Sequence, residues 1–259
     1  MDLGIRGRTA IICASSQGLG RACAEALALE GVNVVINGRD AARIKKTASE
    51  LSALTQAEVH AVAGDVTTAE GRAALLAVAP TPDILVNNNA GPSPHAFGDI
   101  TGDMWMEAVA ANMVAPLLLT RAVLPAMIER KFGRIINITS AMVTTPRPHM
   151  ALSSGARAGL TAALKGLSLD IAKSNVTINN LLPERFDTAR QEQMAHATMQ
   201  RENIGYDEAR RRQVQSIAAR RLGRPEEFGA MCAFLCSVHA GFVSGQNIHL
   251  DGGTYPALM

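Results

Sequence analysis

Short apolar runs alternate with longer segments whose apolar residues recur at helical spacing along almost the whole chain. The apolar runs predict seven β-strands: Thr9–Cys13, Val32–Asn37, Val59–Val62, Ile84–Asn87, Arg134–Thr139, Val176–Leu181 and Asn247–Leu250. The segments between them predict helices at Arg21–Glu30, Asp40–Leu54, Thr68–Val78, Asp103–Arg130 and Ala151–Lys173, and two more helices before the last strand.

This alternation predicts the fold class. Strands separated by helices of ten or more residues form right-handed βαβ units and a parallel sheet. The strands are apolar on both faces, as expected where helices cover both sides of a sheet. We therefore expect a single α/β domain of 259 residues, doubly wound and Rossmann-type, with a seven-stranded parallel sheet.

One segment interrupts the alternation. Thr188–Arg221 is polar and helical, is rich in Gln, Met and Arg, and follows the carboxyl end of a strand. Ligands of open α/β sheets bind at that edge. The segment is therefore predicted to be a substrate lid spanning about residues 188–221.

Composition excludes several classes of function. Hydrophobic residues make up 47% and charged residues 19%, and the net charge is +2, so neither disorder nor a nucleic-acid partner is expected. No unbroken apolar run reaches the roughly 18 residues of a membrane helix, and the N-terminus lacks an apolar signal core. We expect a cytoplasmic protein without a membrane partner. The four cysteines predict buried reduced thiols and no metal site.

A glycine-containing turn joins the first strand to the first helix, with the sequence ASSQGLG at residues 14–20. Gly18 and Gly20 allow close approach of the backbone, and the free N–H groups of Gly18, Leu19 and Gly20 could hold a pyrophosphate. Because this turn follows a strand and opens a helix in the first βαβ unit, it predicts a dinucleotide site.

The end of the second strand indicates which dinucleotide. An acidic residue there usually holds an unphosphorylated ribose, but this chain has Asn37-Gly38-Arg39. Arg39 carries a planar donor fork suited to phosphate, and Ser15 and Ser16 add hydroxyl donors. NADP(H) is therefore favoured over NAD(H). Asp40 is the alternative ribose acceptor, although its position favours capping the next helix.

With these elements placed, the chain resembles the short-chain dehydrogenase/reductase family over nearly its whole length, and within it the 3-oxoacyl-carrier-protein reductase-like branch. Several stretches carry the resemblance, in order and at family-like spacing: Cys13–Gly20, Gly64-Asp65-Val66, Asp83–Gly91 (DILVNNNAG), Asn112 before Pro116-Leu117-Leu118, Gly133–Ser140 (GRIINITS), Pro183 with Thr188, Gly223–Glu227 (GRPEE) and Leu250–Gly253 (LDGG).

The resemblance implies a role for each matching residue. Asp65 and Val66 would contact the adenine, and Asn87 or Asn88 would line the adenine-ribose side, since a third Asn leaves the register of that turn open. Asn112 would serve the proton relay, and Ser140 would bind the substrate carbonyl. Pro183 and Thr188 would lie at the nicotinamide or the pyrophosphate.

The chain departs from the family pattern at four positions. Ala14 replaces the first Gly of the phosphate loop, and Glu184 replaces the Gly after Pro183, where it could be a substrate contact, a base or an exposed residue. Ser153 lies 13 residues after Ser140, where the family has its proton-donating Tyr, and Arg157 stands in place of the Lys.

These two replacements change the expected chemistry. A Ser hydroxyl does not act as the acid at neutral pH without a base, and Arg stays charged. Arg157 could still hold the ribose and stabilise a developing alkoxide, with water supplying the proton. The alternative donors are His149, Tyr206 and Tyr255.

Three functions stay open on the sequence. The first is NADP(H)-dependent reduction of a carbonyl substrate, a ketone or a 3-oxoacyl-type compound, by a modified relay of Asn112, Ser140, Ser153 and Arg157. The second is a catalytically silent NADP(H)-binding subunit or sensor that partners an active reductase. The third is a dehydration or isomerisation that uses Glu184 or His149.

Two surface features bear on partners. The run Arg210–Arg212, with Arg220 and Arg221, could bind an acyl thioester or an acidic carrier protein, or could be a solvated helix face. The apolar faces of Asp103–Arg130 and Ala151–Lys173 would suit a four-helix contact, and the family resemblance implies a homotetramer.

Overall fold

A computed structural model of the chain describes residues 1–258 and contains the seven-stranded, all-parallel sheet that the sequence predicts. The strand order is β3-β2-β1-β4-β5-β6-β7. The strands are β1 (Thr9–Ile12), β2 (Asn33–Gly38), β3 (Val59–Ala63), β4 (Ile84–Asn87), β5 (Gly133–Ile138), β6 (Val176–Pro183) and β7 (Asn247–Leu250).

Helices cover both faces of this sheet and form a hydrophobic core on each side. They are α1 (Gly18–Leu29), α2 (Ala41–Leu54), α3 (Ala69–Val78), α4 (Gly102–Val109), α5 (Ala115–Glu129), α6 (Ala151–Ile171), α7 (Ala189–Glu202), α8 (Tyr206–Gln215) and α9 (Pro225–Cys236). One core packs α1, α2 and α9 on the sheet, and the other packs α3, α5 and α6.

The region after β6 contains three helices, so the expectation of two was wrong. Asn203 adopts a left-handed backbone with φ of 50° and ends α7, and Gly205 precedes α8. The polar composition of this region hides the break, because no apolar stripe marks where one helix stops. Both α7 and α8 fall within the segment 188–221.

The long helix predicted over Asp103–Arg130 is interrupted. A π-helical turn at Ala110–Val114 separates α4 from α5, and Asn112 lies in that turn. An 18-residue window of the helical stretch Gly102–Glu129 has a mean hydropathy of 1.5, so length and composition alone would let it cross a membrane. The packing of α5 on β4 and β5, in the second core, accounts for part of that apolar character.

Four asparagines lie in register across four neighbouring strands. Asn87 pairs with Asn137, Asn137 with Asn180, and Asn180 with Asn247 in the ladder of the sheet. Each side-chain amide donates to the next side-chain carbonyl at 2.9, 2.9 and 2.8 Å. We call this set the asparagine row.

The four cysteines are reduced and buried, as predicted. Within residues 1–258, no group of three or more His, Cys, Asp or Glu side chains is arranged to hold a metal ion.

The strand order reverses between β1 and β4, and this reversal positions the functional site. The loops after these two strands diverge and leave a crevice at the carboxyl edge of the sheet, where α/β proteins bind their ligands.

Candidate active site

The loop between β1 and α1 has the geometry of a phosphate site. Gly18 has a φ of +59°, and a Cβ on Gly20 would lie 2.5 Å from the Ala14 carbonyl oxygen. No side chain caps the start of α1, and its first turn carries no acidic residue. The N–H groups of Gly18, Leu19 and Gly20 therefore face the crevice without a competing carboxylate, and the loop fits a dinucleotide pyrophosphate.

The residues expected at the 2′-phosphate divide into two groups. Ser15 is fully buried, and its hydroxyl donates to the Ile12 carbonyl at 2.7 Å and accepts from Asn37 N–H at 2.9 Å. This corrects the expectation that its side chain holds phosphate, because both hydrogen-bonding functions serve the β1–β2 contact. The Ser16 side chain instead packs against Gly38, the residue that immediately precedes the exposed Arg39, so Ser16 and Arg39 lie near each other.

Asp65 and Val66 lie after β3 on the same side of the crevice. One Asp65 oxygen accepts from the Thr67 N–H at 2.9 Å and from its hydroxyl at 2.8 Å. These hydrogen bonds, the backbone one foremost, lower the pKa of Asp65, and the nearby charge of Arg39 adds to this effect. Val66 is buried, so it can offer only an edge of its surface to an adenine ring.

Three consecutive asparagines, the last residue of β4 and the two that follow it, have distinct environments. Asn87 is 2% exposed, and its amide donates to Asn137 and to Thr120. Its side chain therefore lies inside the sheet, which corrects the expected contact with the adenine ribose. Asn88 donates to the Ala14 carbonyl at 3.0 Å and so ties the loop after β4 to the phosphate loop.

Ser153 and Arg157 lie one turn apart on α6 and contact each other directly. Arg157 Nη1 donates to Ser153 Oγ at 2.6 Å, and Nη2 reaches the Asn89 carbonyl at 3.5 Å. Ser140 follows β5, and its Oγ accepts from Met142 N–H at 3.2 Å. Both serine hydroxyls thus accept a hydrogen bond from the protein and keep a hydrogen to donate.

Arg157 is a buried cation without an acidic partner among residues 1–258. It is 7% exposed, and its side chain bonds only neutral oxygens. Burial, and to a smaller extent the neighbouring charge of Arg190, together lower the pKa of the guanidinium to about 10. An arginine so placed is destabilising on its own and attracts an electron-rich group.

Asn112 lies on the π-helical turn that packs against α6. Its amide donates to the Ala108 carbonyl at 3.3 Å. Asn89 also contacts this π-turn, because its amide donates to the Ala111 carbonyl at 3.3 Å. Such π-turns recur at functional sites because they redirect a side chain or a carbonyl.

The loop after β6 closes the crevice from the opposite side. Pro183 pairs with Leu250 at the end of the sheet, and a Cβ on Gly18 would lie 3.9 Å from the Thr188 methyl. The Glu184 side chain is 3% exposed and pairs with Arg147 at 2.8 Å and Arg185 at 3.5 Å. Glu184 is therefore not an exposed residue but a carboxylate held between two guanidiniums.

The other proton donors considered from the sequence have different neighbours. Tyr206 packs against the His196 ring, with 5.1 Å between ring centroids, and Tyr255 stacks on His249 at 4.1 Å. His149 is exposed, has a φ of 67°, and accepts from His95 N–H through its carbonyl. None of these described contacts involves Ser153.

Three residues at this site escaped the sequence reasoning: Asn89, Arg147 and Arg190. Asn89 contacts both Arg157 and the π-turn, and the third Asn after β4 was the only signal for it. Arg190 donates to the Pro92 carbonyl at 3.4 Å from the first turn of α7. Nothing in the spacing of the sequence brings these arginines to the crevice, since their loops meet only in the folded chain.

Known proteins resemble this chain over nearly its whole length. The family described as enoyl-(acyl carrier protein) reductase matches residues 13–255. The oxidoreductase YvaG of Bacillus subtilis is 33% identical, covering 98% of each chain, and the NADPH-dependent reductase BacG of the same species is 30% identical, covering 97% of this chain and 99% of its own.

A solved structure extends the similarity to the whole fold. L-sorbose reductase from Gluconobacter frateurii, in complex with NADPH and L-sorbose, superposes with a TM-score of 0.95 at 28% identity and full coverage of both chains. The NADPH named for these relatives agrees with the cofactor predicted from Arg39. By sequence and by structure, the chain belongs to the short-chain dehydrogenase/reductase family.

Proposed function

We propose that the protein is an NADP(H)-dependent oxidoreductase that reduces the carbonyl group of a small molecule through Asn112, Ser140, Ser153 and Arg157. The observation that carries the proposal is the 2.6 Å hydrogen bond from Arg157 to Ser153, beside an intact phosphate loop. Ser153 and Arg157 stand in place of the Tyr and Lys of the family, and the Ser153 hydroxyl oxygen already accepts a hydrogen bond from the Arg157 guanidinium.

The cofactor would lie across the crevice. Gly18, Leu19 and Gly20 would hold its pyrophosphate, Ser16 and Arg39 its 2′-phosphate, and Asp65 and Val66 its adenine. Asn88, Pro183 and Thr188 would support it from the two facing loops, and Arg157 would reach the ribose. When bound, the dinucleotide supplies the hydride.

The side chains of the protein bind and polarise the carbonyl oxygen. Ser140 and Ser153 each retain a hydroxyl hydrogen, and two such hydrogens can donate to one oxygen. Donation from Arg157 to Ser153 Oγ makes that hydroxyl a stronger donor. The buried charge of Arg157 stabilises the developing alkoxide, because a fixed charge in a site with little water acts with little screening.

The final proton then comes from water near Asn112 rather than from a tyrosine. Loss of a positioned general acid lowers a rate by roughly a hundred- to ten-thousand-fold. We therefore expect slow turnover compared with relatives that carry the Tyr.

The remaining parts of the proposal concern shape and assembly. Residues 188–221, with α7 and α8, would form the lid over the substrate, anchored by the ion pair of Arg210 with Asp187. A homotetramer would cover the apolar side chains that α4, the π-turn and α6 leave exposed, Met106, Val114 and Leu169 among them.

A catalytically silent NADP(H)-binding subunit is the second candidate, favoured by the absence of the Tyr and Lys. Titration of the purified protein with NADPH and NADH, followed by a carbonyl screen at 340 nm, separates the two. We expect NADPH to bind more tightly than NADH, and Arg39→Ser to remove that preference while Arg211→Ser on the exposed face of α8 keeps it. Binding without any turnover would favour the silent subunit, and no binding would refute both.

A further inference from the structure

A positive charge that no carboxylate balances lies on the substrate side of the crevice. Arg157 on α6 and Arg190 on α7 both reach the loop after β4, at Asn89 and Pro92. Neither guanidinium has an ion-pair partner among residues 1–258. The two charges are close enough to repel each other.

Gly91 lies between these two contacts and close to the Arg157 guanidinium. A Cβ on Gly91 would lie 3.0 Å from Arg157 Nη1. The guanidinium therefore packs against the backbone of this loop, and its hydrogen-bond acceptors are two neutral oxygens, Ser153 Oγ and the Asn89 carbonyl.

The neighbouring charges do not compensate them. Glu184 is the buried carboxylate of this edge, and it is shared by Arg147 and Arg185. Asp187 is engaged by Arg210. The loops that face the substrate thus present more guanidinium groups than carboxylates, and the excess lies at Arg157 and Arg190.

The phosphates of the cofactor do not explain Arg190. The start of α1 and Arg39 provide donors for those groups, and Thr188 marks the point where the loop after β6 faces the phosphate loop. Arg190 lies beyond Thr188 in the chain and donates instead to the Pro92 carbonyl, in the loop after β4 that also contacts Arg157.

We infer that the substrate of this site carries a carboxylate next to its carbonyl, and that Arg190, together with Arg157, binds that carboxylate. This inference rests on the proposed reductase function. A paired donor fork matches the two oxygens of a carboxylate. An oxo acid would therefore balance the charge that the folded protein leaves open.

The experiment compares oxo acids with their neutral counterparts. Rates of NADPH oxidation are measured with acetoacetate and 2-oxobutyrate and with the methyl esters of both acids. The variants are Arg190→Gln and Arg190→Lys, and Arg201→Gln on the exposed far end of α7 is the matched control. Because Arg190 is exposed, its replacement leaves the core intact.

The expected result has three parts. The acids react with a higher kcat/KM than the esters, and Arg190→Gln lowers kcat/KM for the acids about ten- to a hundredfold, the scale of a hydrogen bond to a charged group. Esters are affected little, and Arg190→Lys retains part of the preference. A tenfold fall in NADPH affinity in Arg190→Gln would overturn the inference, since Arg190 would then be a cofactor residue.

A binding measurement separates this inference from the reductase proposal. Butyrate and butyramide are titrated by NMR into the protein loaded with NADP⁺. Binding of butyrate alone, lost in Arg190→Gln, supports the carboxylate site even if no carbonyl compound is reduced. Reduction of neutral ketones, with no binding of butyrate and no preference for acids, would overturn the carboxylate site and leave the reductase function intact.

Discussion

At the scale of single residues, the buried charge of Arg157 lowers the stability of the fold and serves the chemistry of the proposed active site. A buried guanidinium that bonds only neutral oxygens loses hydration without gaining an ion pair. Such a residue is retained where function needs its charge, and the free energy of unfolding is then lower than it would be without that charge.

Arg157→Met should therefore stabilise the protein in the absence of cofactor by about 1–3 kcal/mol, while it weakens cofactor binding and removes turnover. Urea unfolding with and without NADPH measures both effects. Arg134→Met is the matched control. Arg134 is also buried and also bonds only neutral oxygens, but it donates to three backbone carbonyls, those of Gly133, Asn175 and Ser237, at 2.9 to 3.1 Å, whereas Arg157 reaches one carbonyl at 3.5 Å. The control should destabilise, and a loss of stability in Arg157→Met as well would show that Arg157 is a structural residue.

Restoring the family pair is a second test at this scale. The double variant Ser153→Tyr/Arg157→Lys replaces a serine hydroxyl, which does not act as an acid at neutral pH without a base, with a phenol that can. We expect turnover of a reducible carbonyl compound to rise by about a hundredfold or more. The pH dependence of kcat should then show a new ionisation, and an unchanged rate with intact cofactor binding would mean that proton supply does not limit this enzyme.

At the scale of elements, the phosphate loop depends on how closely α1 approaches the loops beside it. A Cβ on Gly20 would lie 2.5 Å from the Ala14 carbonyl and 2.7 Å from the Asn88 amide. Ala14 itself has a left-handed backbone with φ of 43°, so this turn has little freedom to adjust.

Gly20→Ala should lower stability by about 1–3 kcal/mol and reduce NADPH affinity, because the backbone of the loop must move to make room. Gly166→Ala is the matched helical control, since nothing lies within 4 Å of a Cβ there. It should stabilise by about 0.5–1 kcal/mol through helix propensity alone. Thermal unfolding and NADPH titration of both variants measure the changes in stability and in cofactor affinity. Equal changes for Gly20→Ala and Gly166→Ala would exclude the steric explanation.

The sequence predicted the order and type of these elements well, because β-type runs and helical periodicity depend on local residues. It also predicted the cap of α2, where Asp40 accepts from Ala42 and Arg43. The π-turn around Asn112 and the break at Asn203 escaped, since both depend on backbone details that leave the apolar pattern unchanged. Arg190 escaped for another reason: its contact with Pro92 joins residues 98 positions apart.

At the scale of the whole molecule, α4 and α6 pack against each other and each leaves a large apolar side chain exposed to solvent. Leu169 is 72% exposed on α6 and Met106 is 68% exposed on α4. Exposed apolar side chains grouped on neighbouring helices commonly mark an interface between subunits.

Leu169→Glu should shift the assembly of the protein toward smaller species without unfolding the subunit, because this side chain contributes little to the core of a single chain. Sedimentation velocity gives the change in mass, and far-UV circular dichroism confirms the fold. Lys173→Glu, in the 3-10 turn that follows α6, makes the net charge more negative by two instead of one at an exposed polar position, and should leave the mass unchanged. An unaltered mass for Leu169→Glu would place the interface elsewhere.

The asparagine row has a consequence for how the chain finds its fold. A slip of one residue between two parallel strands would turn every amide of one strand to the opposite face of the sheet. A slip of two residues would return them to the correct face, but between β5 and β6 it would place Asn137 opposite Ile178 or Leu182. Only one pairing of β4, β5, β6 and β7 lets all three side-chain hydrogen bonds of the asparagine row form. The row therefore favours the native register of these strands, because a misaligned sheet buries polar groups without partners.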